Sequence, residues 1–454
     1  MTGTQPVWDE KGKVIAAVHF TYYRKGKTTG KADDTDTSRP LIISFNGGPG
    51  SASVWMHLAY TGPKILNVDD EGYPIQPYGI KDNPNSILDV ADIVFVNPVN
   101  TGYSRILDPE VDRKTFFGIN EDIAYLAEWI NTFVTRKNRW ESPKYLIGES
   151  YGTTRVSGLA LSLQNRQWMY LNGVVLVSPT ELGIHTNDRR RNGPGGAALR
   201  IPYFTAAAWY HKQLPDDLQK MDLDEVLALS EDFSLNQLLP VLMKGGFGEP
   251  EMREKMADEI ARFSGLDQKS IMQYNLDIPT SFFWKELLRE EGYTIGRLDS
   301  RYKGIDRSDG GDSPDYNAEL TSWLHAFTPA VNYYYANVLN YKTDIKYNMF
   351  GPVRPWNSDG NNTGENLRQA MAQNPYLHTM IQSGYYDGAT KYFDAKYTMW
   401  QIDPSGKMKD RFSFKGYRSG HMMYLRNEDL QSSNEHLREF IRKSTPAKGT
   451  PAKY

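Results

Sequence analysis

The chain contains no cysteine. Disulfides, thiolate metal sites and a cysteine nucleophile are therefore excluded. It also lacks any stretch of about 18 uninterrupted apolar residues, so no transmembrane helix is expected. The first twenty residues, MTGTQPVWDEKGKVIAAVHF, have no basic segment followed by an apolar core, and no signal peptide is expected there. The address stays open: secreted or periplasmic if a leader has been removed, cytoplasmic otherwise. Excess charge is small. With 52 Lys and Arg against 55 Asp and Glu, the net charge is −3 and the pI is near 6.3. Neither nucleic acid nor an anionic membrane surface is an expected partner. No HExxH pattern and no acidic loop of calcium-binding spacing is present, so no metal and no other cofactor is expected. The clustered aspartates of DDTDT (33–37) and DRSDGGD (306–312) read as solvated loops. The basic knot NDRRRN (187–192) reads first as an exposed loop and second as a contact for an acidic substrate group.

What is present is a long chain of 454 residues, 39% hydrophobic and 13% aromatic, ample for a large core. Length alone suggests roughly three domains, although large α/β enzymes often form one unit. Short apolar runs read as buried strands: VIAAVHFTYY (14–23), LIISFN (41–46), IVFVN (93–97), YLIG (145–148), GVVLVS (173–178), HTMIQSG (378–384) and RFSFKGY (411–417). Helical periodicity lies between them. Ile123, Leu126, Ala127 and Ile130 share a face behind Asn120, a candidate cap. Val156, Leu159, Ala160 and Leu163 repeat the pattern, and Leu430, Leu437 and Ile441 mark a final helix. Alternation of this kind predicts a mostly parallel sheet covered on both faces. From about 187 to 330 helical composition takes over. We read a core of residues 1–186 and 331–445, a helical insertion of residues 187–330 over the sheet's C-terminal edge, and a frayed tail at 446–454.

Gly148-Glu149-Ser150-Tyr151-Gly152 joins the strand at 145–148 to the helix that follows. A sharp strand-to-helix turn brings backbone so close to its neighbours that both flanks must be small, and it holds Ser150 exposed above the sheet. This is the nucleophile elbow in its strand–turn–helix context. A serine hydroxyl needs a base, and the base needs an orienting carboxylate. His421 follows a strand in the glycine-bounded loop RSGHMMYL. His185, His211, His325, His378 and His436 lie in helical or strand contexts and read as packing or surface residues. Asp387 closes the strand HTMIQSGYY and opens a loop; its rival, Asp394, lies in the helical-looking KYFDAKYTMW. A second element, FNGGPGSASVW (45–55), is a tight post-strand loop with amides suited to a developing oxyanion.

NGGPG (46–50), GESYG (148–152) and SGHMM (419–423), in this order, resemble the serine carboxypeptidase family, its bacterial branch in particular. SGYYDGAT (383–390) and RLDSRYKGID (297–306) extend the likeness across the core. The resemblance implies an α/β-hydrolase fold with a mostly parallel sheet and a helical cap. It implies a triad of Ser150, Asp387 and His421, an oxyanion hole from the N–H groups of Gly48 and Tyr151, and a peptide substrate. It also implies that Asn46 and Glu149 bind the substrate's terminal carboxylate, and that an acyl-enzyme forms and is hydrolysed.

The sequence departs from that family where a second glutamate usually partners Glu149: the position holds Tyr60. Two close carboxylates can share a proton and accept a substrate carboxylate. A lone Glu149 ionises more readily, unless burial raises its pKa or Tyr60 donates to it. Ser51 replaces a common cysteine, Asn97 a common aspartate, and Tyr424-Leu425 a common Val-Pro; none of these is expected to touch the triad. Trp55, Tyr60, Tyr151, Tyr385 and Tyr386 are candidates for an aromatic pocket or for core, and Met422 is expected to pack beside the base. An esterase, amidase, acyltransferase or aminopeptidase-type hydrolase would use the same residues. A non-catalytic binding protein is disfavoured, because all three triad positions and both glycine loops are intact.

Overall fold

The computed structural model describes residues 1–25, 36–184 and 193–454. The basic knot at 187–192, His185 and most of DDTDT fall outside the described residues. The main strands are β1 (Thr2–Trp8), β2 (Val14–Tyr23), β3 (Leu41–Phe45), β4 (Asp92–Val96), β5 (Lys144–Glu149), β6 (Gly173–Val177), β7 (His378–Gly384) and β8 (Phe412–Tyr417). They run in the order β1-β2-β4-β3-β5-β6-β7-β8, with a short strand at Arg105–Ile106 beside β2. β1 and β2 are antiparallel to their neighbours, whereas every pairing from β4 through β8 is parallel. β3 to β6 are buried along their whole length, as a parallel sheet covered on both faces requires. The chain therefore has an α/β-hydrolase fold.

β1 is the strand that the apolar pattern does not reveal. TGTQPVW is polar and contains Pro6, which pairs with Ala17. A proline is tolerated there because β1 is the edge and has one neighbour.

Two helices flank the elbow: α1 (Ile119–Arg136) and α2 (Tyr151–Arg166). Asn120 is not the cap of α1. Gly118 is, because Ile119 N–H donates to the Asn357 carbonyl and Asn357 N–H donates to the Phe117 carbonyl, each near 3 Å, so the chain enters the helix two residues earlier. In the middle of the chain, α3 (Pro194–Tyr210), α4 (Leu223–Phe233) and α5 (Pro250–Ser264) pack around a core of their own that reaches Ile295. The next long helix, α6 (Ala318–Tyr333), instead sends Trp323, Phe327 and Val331 into the cluster that contains Trp55 and the sheet residues Ile42 and Ile93. After it come α7 (Thr363–Gln373), α8 (Tyr392–Ile402) and α9 (Asn427–Ser444). The last residues form no helix or strand, yet the Tyr454 hydroxyl donates to the Ala372 carbonyl at 2.7 Å.

The loops at the ends of β3 and β5 are joined by a buried ion pair. Arg155, on α2, donates through Nε to Asp122 Oδ2 of α1 at 2.7 Å, and both side chains are almost wholly buried. Arg155 Nη1 also donates to the Asn46 carbonyl at 2.7 Å. Tyr151 OH donates to the same Asp122 oxygen at 3.2 Å. Burial pushes the Asp122 carboxyl up, and the Arg155 charge and its hydrogen bond oppose that push. Removing one partner leaves the other charged and buried, at a cost of about 3–5 kcal/mol. Arg155→Met should therefore lower the unfolding free energy in urea by that amount. Arg155→Met/Asp122→Leu, which leaves no orphan charge, should recover a large part of it; a double variant as unstable as the single one would contradict the assignment.

Candidate active site

Ser150 stands between β5 and α2 with φ 57° and ψ −128°. An L-residue seldom adopts this conformation, and holding it costs about 1–3 kcal/mol. Crowding explains why glycines flank it. A Cβ on Gly148 would lie 2.2 Å from the Gly152 carbonyl oxygen, and one on Gly47 would lie 2.5 Å from the Tyr151 nitrogen. The NGGPG loop and the elbow thus touch backbone to backbone. As the first residue of α2, Tyr151 has an N–H with no intrahelical acceptor, and Gly48, at φ 104°, sits in the loop facing it.

Asp387 and His421 come from the loops after β7 and β8, which are adjacent parallel strands. His421 Nδ1 lies 2.6 Å from Asp387 Oδ2. The second carboxylate oxygen accepts the N–H groups of Ala389 and Thr390 at 2.8 and 3.0 Å. The Thr390 hydroxyl lies 2.6 Å from Asp387 Oδ2 and 3.0 Å from the Ser178 carbonyl, and can donate to one at a time. The His421 carbonyl accepts from Ser178 Oγ at 2.7 Å, and its N–H donates to the Leu298 carbonyl at 2.7 Å. Burial opposes a charged imidazole, but the Asp387 carboxylate beside it carries the His421 pKa above its ordinary value. With Nδ1 committed to Asp387, Nε2 is the nitrogen left for a proton transfer. No hydrogen bond to Ser150 Oγ is formed among the described residues; contacts of this kind commonly tighten only when substrate binds. Asp394 lies in α8, 3.9 Å from Lys391, and belongs to a neighbouring cavity.

Ser150 and His421 line one cavity of about 400 Å³, together with Asn46, Gly48, Glu149 and Tyr151. Its apolar wall is made by Trp55, Leu298, Leu320, Trp323, Phe350 and Met422. Of the five aromatic candidates, Trp55 and Tyr151 reach it; Tyr60, Tyr385 and Tyr386 are not part of its lining. Ser51 accepts the Trp55 indole N–H at 2.8 Å, and Asn97 accepts the Ser53 N–H at 2.8 Å, so both departures from the family pattern are absorbed structurally.

Tyr60 does not partner Glu149. Its hydroxyl donates to Gln382 Oε1 at 2.7 Å, and its ring stacks on Tyr424 at 4.9 Å and 9°. The donor to Glu149 Oε2 is the Tyr424 hydroxyl, from the segment after GHMM that we expected to matter little. Burial raises Glu149 from 4.5 to about 7, while the nearby His421 and the Tyr424 hydrogen bond pull it back. Asn46 Oδ1 accepts the Met56 N–H at 3.0 Å; its buried Nδ2 makes no hydrogen bond of ordinary geometry, although Asn46 lies near enough to Glu149 and Tyr424 to pull both down. Thr390, Tyr424 and the Asp122–Arg155 pair are the residues that motif reading missed. Two signals were available: Tyr424 as a departure from the family pattern, and Arg155 as a charged residue four positions after Tyr151 at the start of an otherwise apolar-faced helix.

A serine held at a strand-to-helix turn thus shares a cavity with the histidine of a histidine–aspartate pair on neighbouring strand ends. The solved structure of KEX1, a prohormone-processing carboxypeptidase from Saccharomyces cerevisiae, shares this fold: its TM-score is 0.54 at 15% identity, covering 97% of this chain and 91% of that one. Residues 18–192 match the serine carboxypeptidase family model. Serine carboxypeptidase-like 36 of Arabidopsis thaliana is 29% identical over 169 residues, 36% of this chain and 32% of that protein. Serine carboxypeptidase S10 family member 1 of Dictyostelium discoideum is 27% identical over 123 residues, 27% of each. Residues 18–192 are thus similar to the serine carboxypeptidase family, and the chain's match spans about a third of the length of these curated relatives.

The raised Glu149 pKa has a defined sign in stability. Between pH 4.5 and about 7 the native state holds a proton that the unfolded chain has released, so Glu149 costs increasing stability as pH rises through that window. Glu149→Gln carries no such charge. The unfolding free energy of wild type relative to this variant should fall by on the order of 3 kcal/mol from pH 4 to pH 8. Tyr424→Phe, lacking the donor to the ionised carboxylate, should shift the titration further up. A difference that stays flat across the window would contradict the assignment.

Proposed function

We propose that the chain is a serine carboxypeptidase that hydrolyses C-terminal peptide bonds through an acyl-enzyme. In this reading His421 Nε2 takes the Ser150 proton as Oγ attacks the scissile carbonyl. The N–H groups of Gly48 and Tyr151 stabilise the oxyanion. Asp387, fixed by its two backbone amides, orients the imidazole and stabilises its charge. The imidazolium then gives its proton to the departing amine, and water enters by the reverse of these steps.

The observation that carries the reading is the end of the cavity beyond Ser150. There the buried Asn46 Nδ2 makes no hydrogen bond of ordinary geometry but lies close enough to Glu149 to act on its carboxyl, and Glu149 retains a proton up to about pH 7. Two donors without a substrate partner suit a carboxylate, and their place beside the nucleophile suits the free end of a peptide. Tyr424 gives Glu149 a hydroxyl partner, the role for which Tyr60 was one open candidate, although a tyrosine donor favours the ionised form that a shared proton would suppress. The apolar wall supports apolar residues next to the scissile bond.

The test is hydrolysis of one blocked dipeptide as its free acid, amide and ester across pH, with Ser150→Ala as the blank. The free acid should be preferred in kcat/KM below pH 7, and the preference should shrink as Glu149 ionises. Ser150→Ala should lose about 10⁴–10⁶-fold in kcat. An ester or amide preferred at every pH would make the protein an esterase or amidase instead.

A further inference from the structure

The segment RLDSRYKGID has no part in the mechanism above, yet its backbone is built into the site. Leu298 N–H donates to Glu319 Oε1 at 2.8 Å, and the Leu298 carbonyl receives the His421 N–H. The Arg297 carbonyl accepts the Gly388 N–H at 3.0 Å, and Ser300 N–H donates to the Tyr386 carbonyl at 3.0 Å. Arg301 and Asp299 form a buried ion pair at 2.7 Å. The backbone at Arg297 is thereby tied to the loop of Asp387 and, through Leu298, to the loop of His421.

The Arg297 side chain is placed differently. It is exposed and lines the cavity that holds Asn46, Glu149, Ser150 and His421. Among the described residues it has no ion pair and no side-chain hydrogen bond. It is also the one Lys or Arg in the described lining. The other arginine of the segment, Arg301, is fully committed to Asp299 and Glu71. A guanidinium offers a planar fork of donors that fits a carboxylate with two parallel hydrogen bonds. Its charge also persists where Glu149 has lost its proton.

We propose that Arg297 is a carboxylate-binding residue of this cavity, taking either the C-terminal carboxylate of a peptide or an acidic side chain beside the scissile bond. The proposal rests on the reading of the cavity as a peptide site. It adds a cationic contact to the neutral pair of Asn46 and protonated Glu149.

Binding in the full-length Ser150→Ala background separates this proposal from turnover. Calorimetry at pH 8 and low salt would compare three ligands: a blocked neutral dipeptide as its free acid, the same peptide as its amide, and a blocked dipeptide amide ending in glutamate. Arg297→Met should weaken at least one carboxylate ligand by about tenfold or more while leaving the neutral amide within about twofold. Arg297→Lys should retain part of the affinity. Loss confined to the free acid assigns the C-terminus, and loss confined to the glutamate ligand assigns the side chain. Equal weakening of all three, no change in any, or no binding of either carboxylate ligand to the parent would overturn the proposal. If wild type hydrolysed none of these peptides, the peptidase reading would fall, while the binding comparison would still decide the role of Arg297.

Discussion

Backbone in the NGGPG loop must approach backbone in the nucleophile elbow closely enough that no side chain fits between them. Such an approach is unfavourable without something to hold it, because both segments present unsatisfied polar groups and one residue is strained. The Arg155–Asp122 pair supplies the hold. A single guanidinium reaches the Asn46 carbonyl on one side and Asp122 on the other, and Asp122 also takes the hydroxyl of Tyr151. The two amides that the proposed mechanism uses thus sit on segments tied to one buried charge pair. The hydrophobic packing of α1 and α2 on the sheet fixes where that pair stands.

Asp387 and His421 are organised from the opposite side. β7 and β8 are neighbouring parallel strands, so the loops that follow them emerge side by side and Asp387 meets His421 without a long excursion of either chain. The segment at 297–301 bridges from the helical region to both loops through backbone hydrogen bonds. The 297–301 segment and the His421 loop are therefore directly connected, through the His421 N–H on the Leu298 carbonyl.

Much of this was legible in sequence. Seven strands were visible as apolar runs, because a parallel sheet buried on both faces leaves continuous hydrophobic segments. The elbow was visible because its chemistry demands glycine at fixed positions, and Asp387 and His421 because they close strands and open loops. β1 was hidden by the freedom of an edge strand to carry polar residues and a proline. The partner of Glu149 was not legible for a different reason. Spacing within a motif locates a residue along its own segment, but Tyr60 and Tyr424 stack face to face, and only the fold decides which hydroxyl points at the carboxylate. Arg155 was passed over because a buried charge looks like a surface charge until its partner, here on another helix, is known.

The central claim is that Ser150 is a nucleophile activated by His421. Labelling with a fluorophosphonate at neutral pH, followed by peptide mapping by mass spectrometry, tests it most directly. The account predicts a single adduct on Ser150, formed at least about a hundredfold more slowly in His421→Ala. No adduct, an adduct at another serine, or equal labelling without His421 would contradict it.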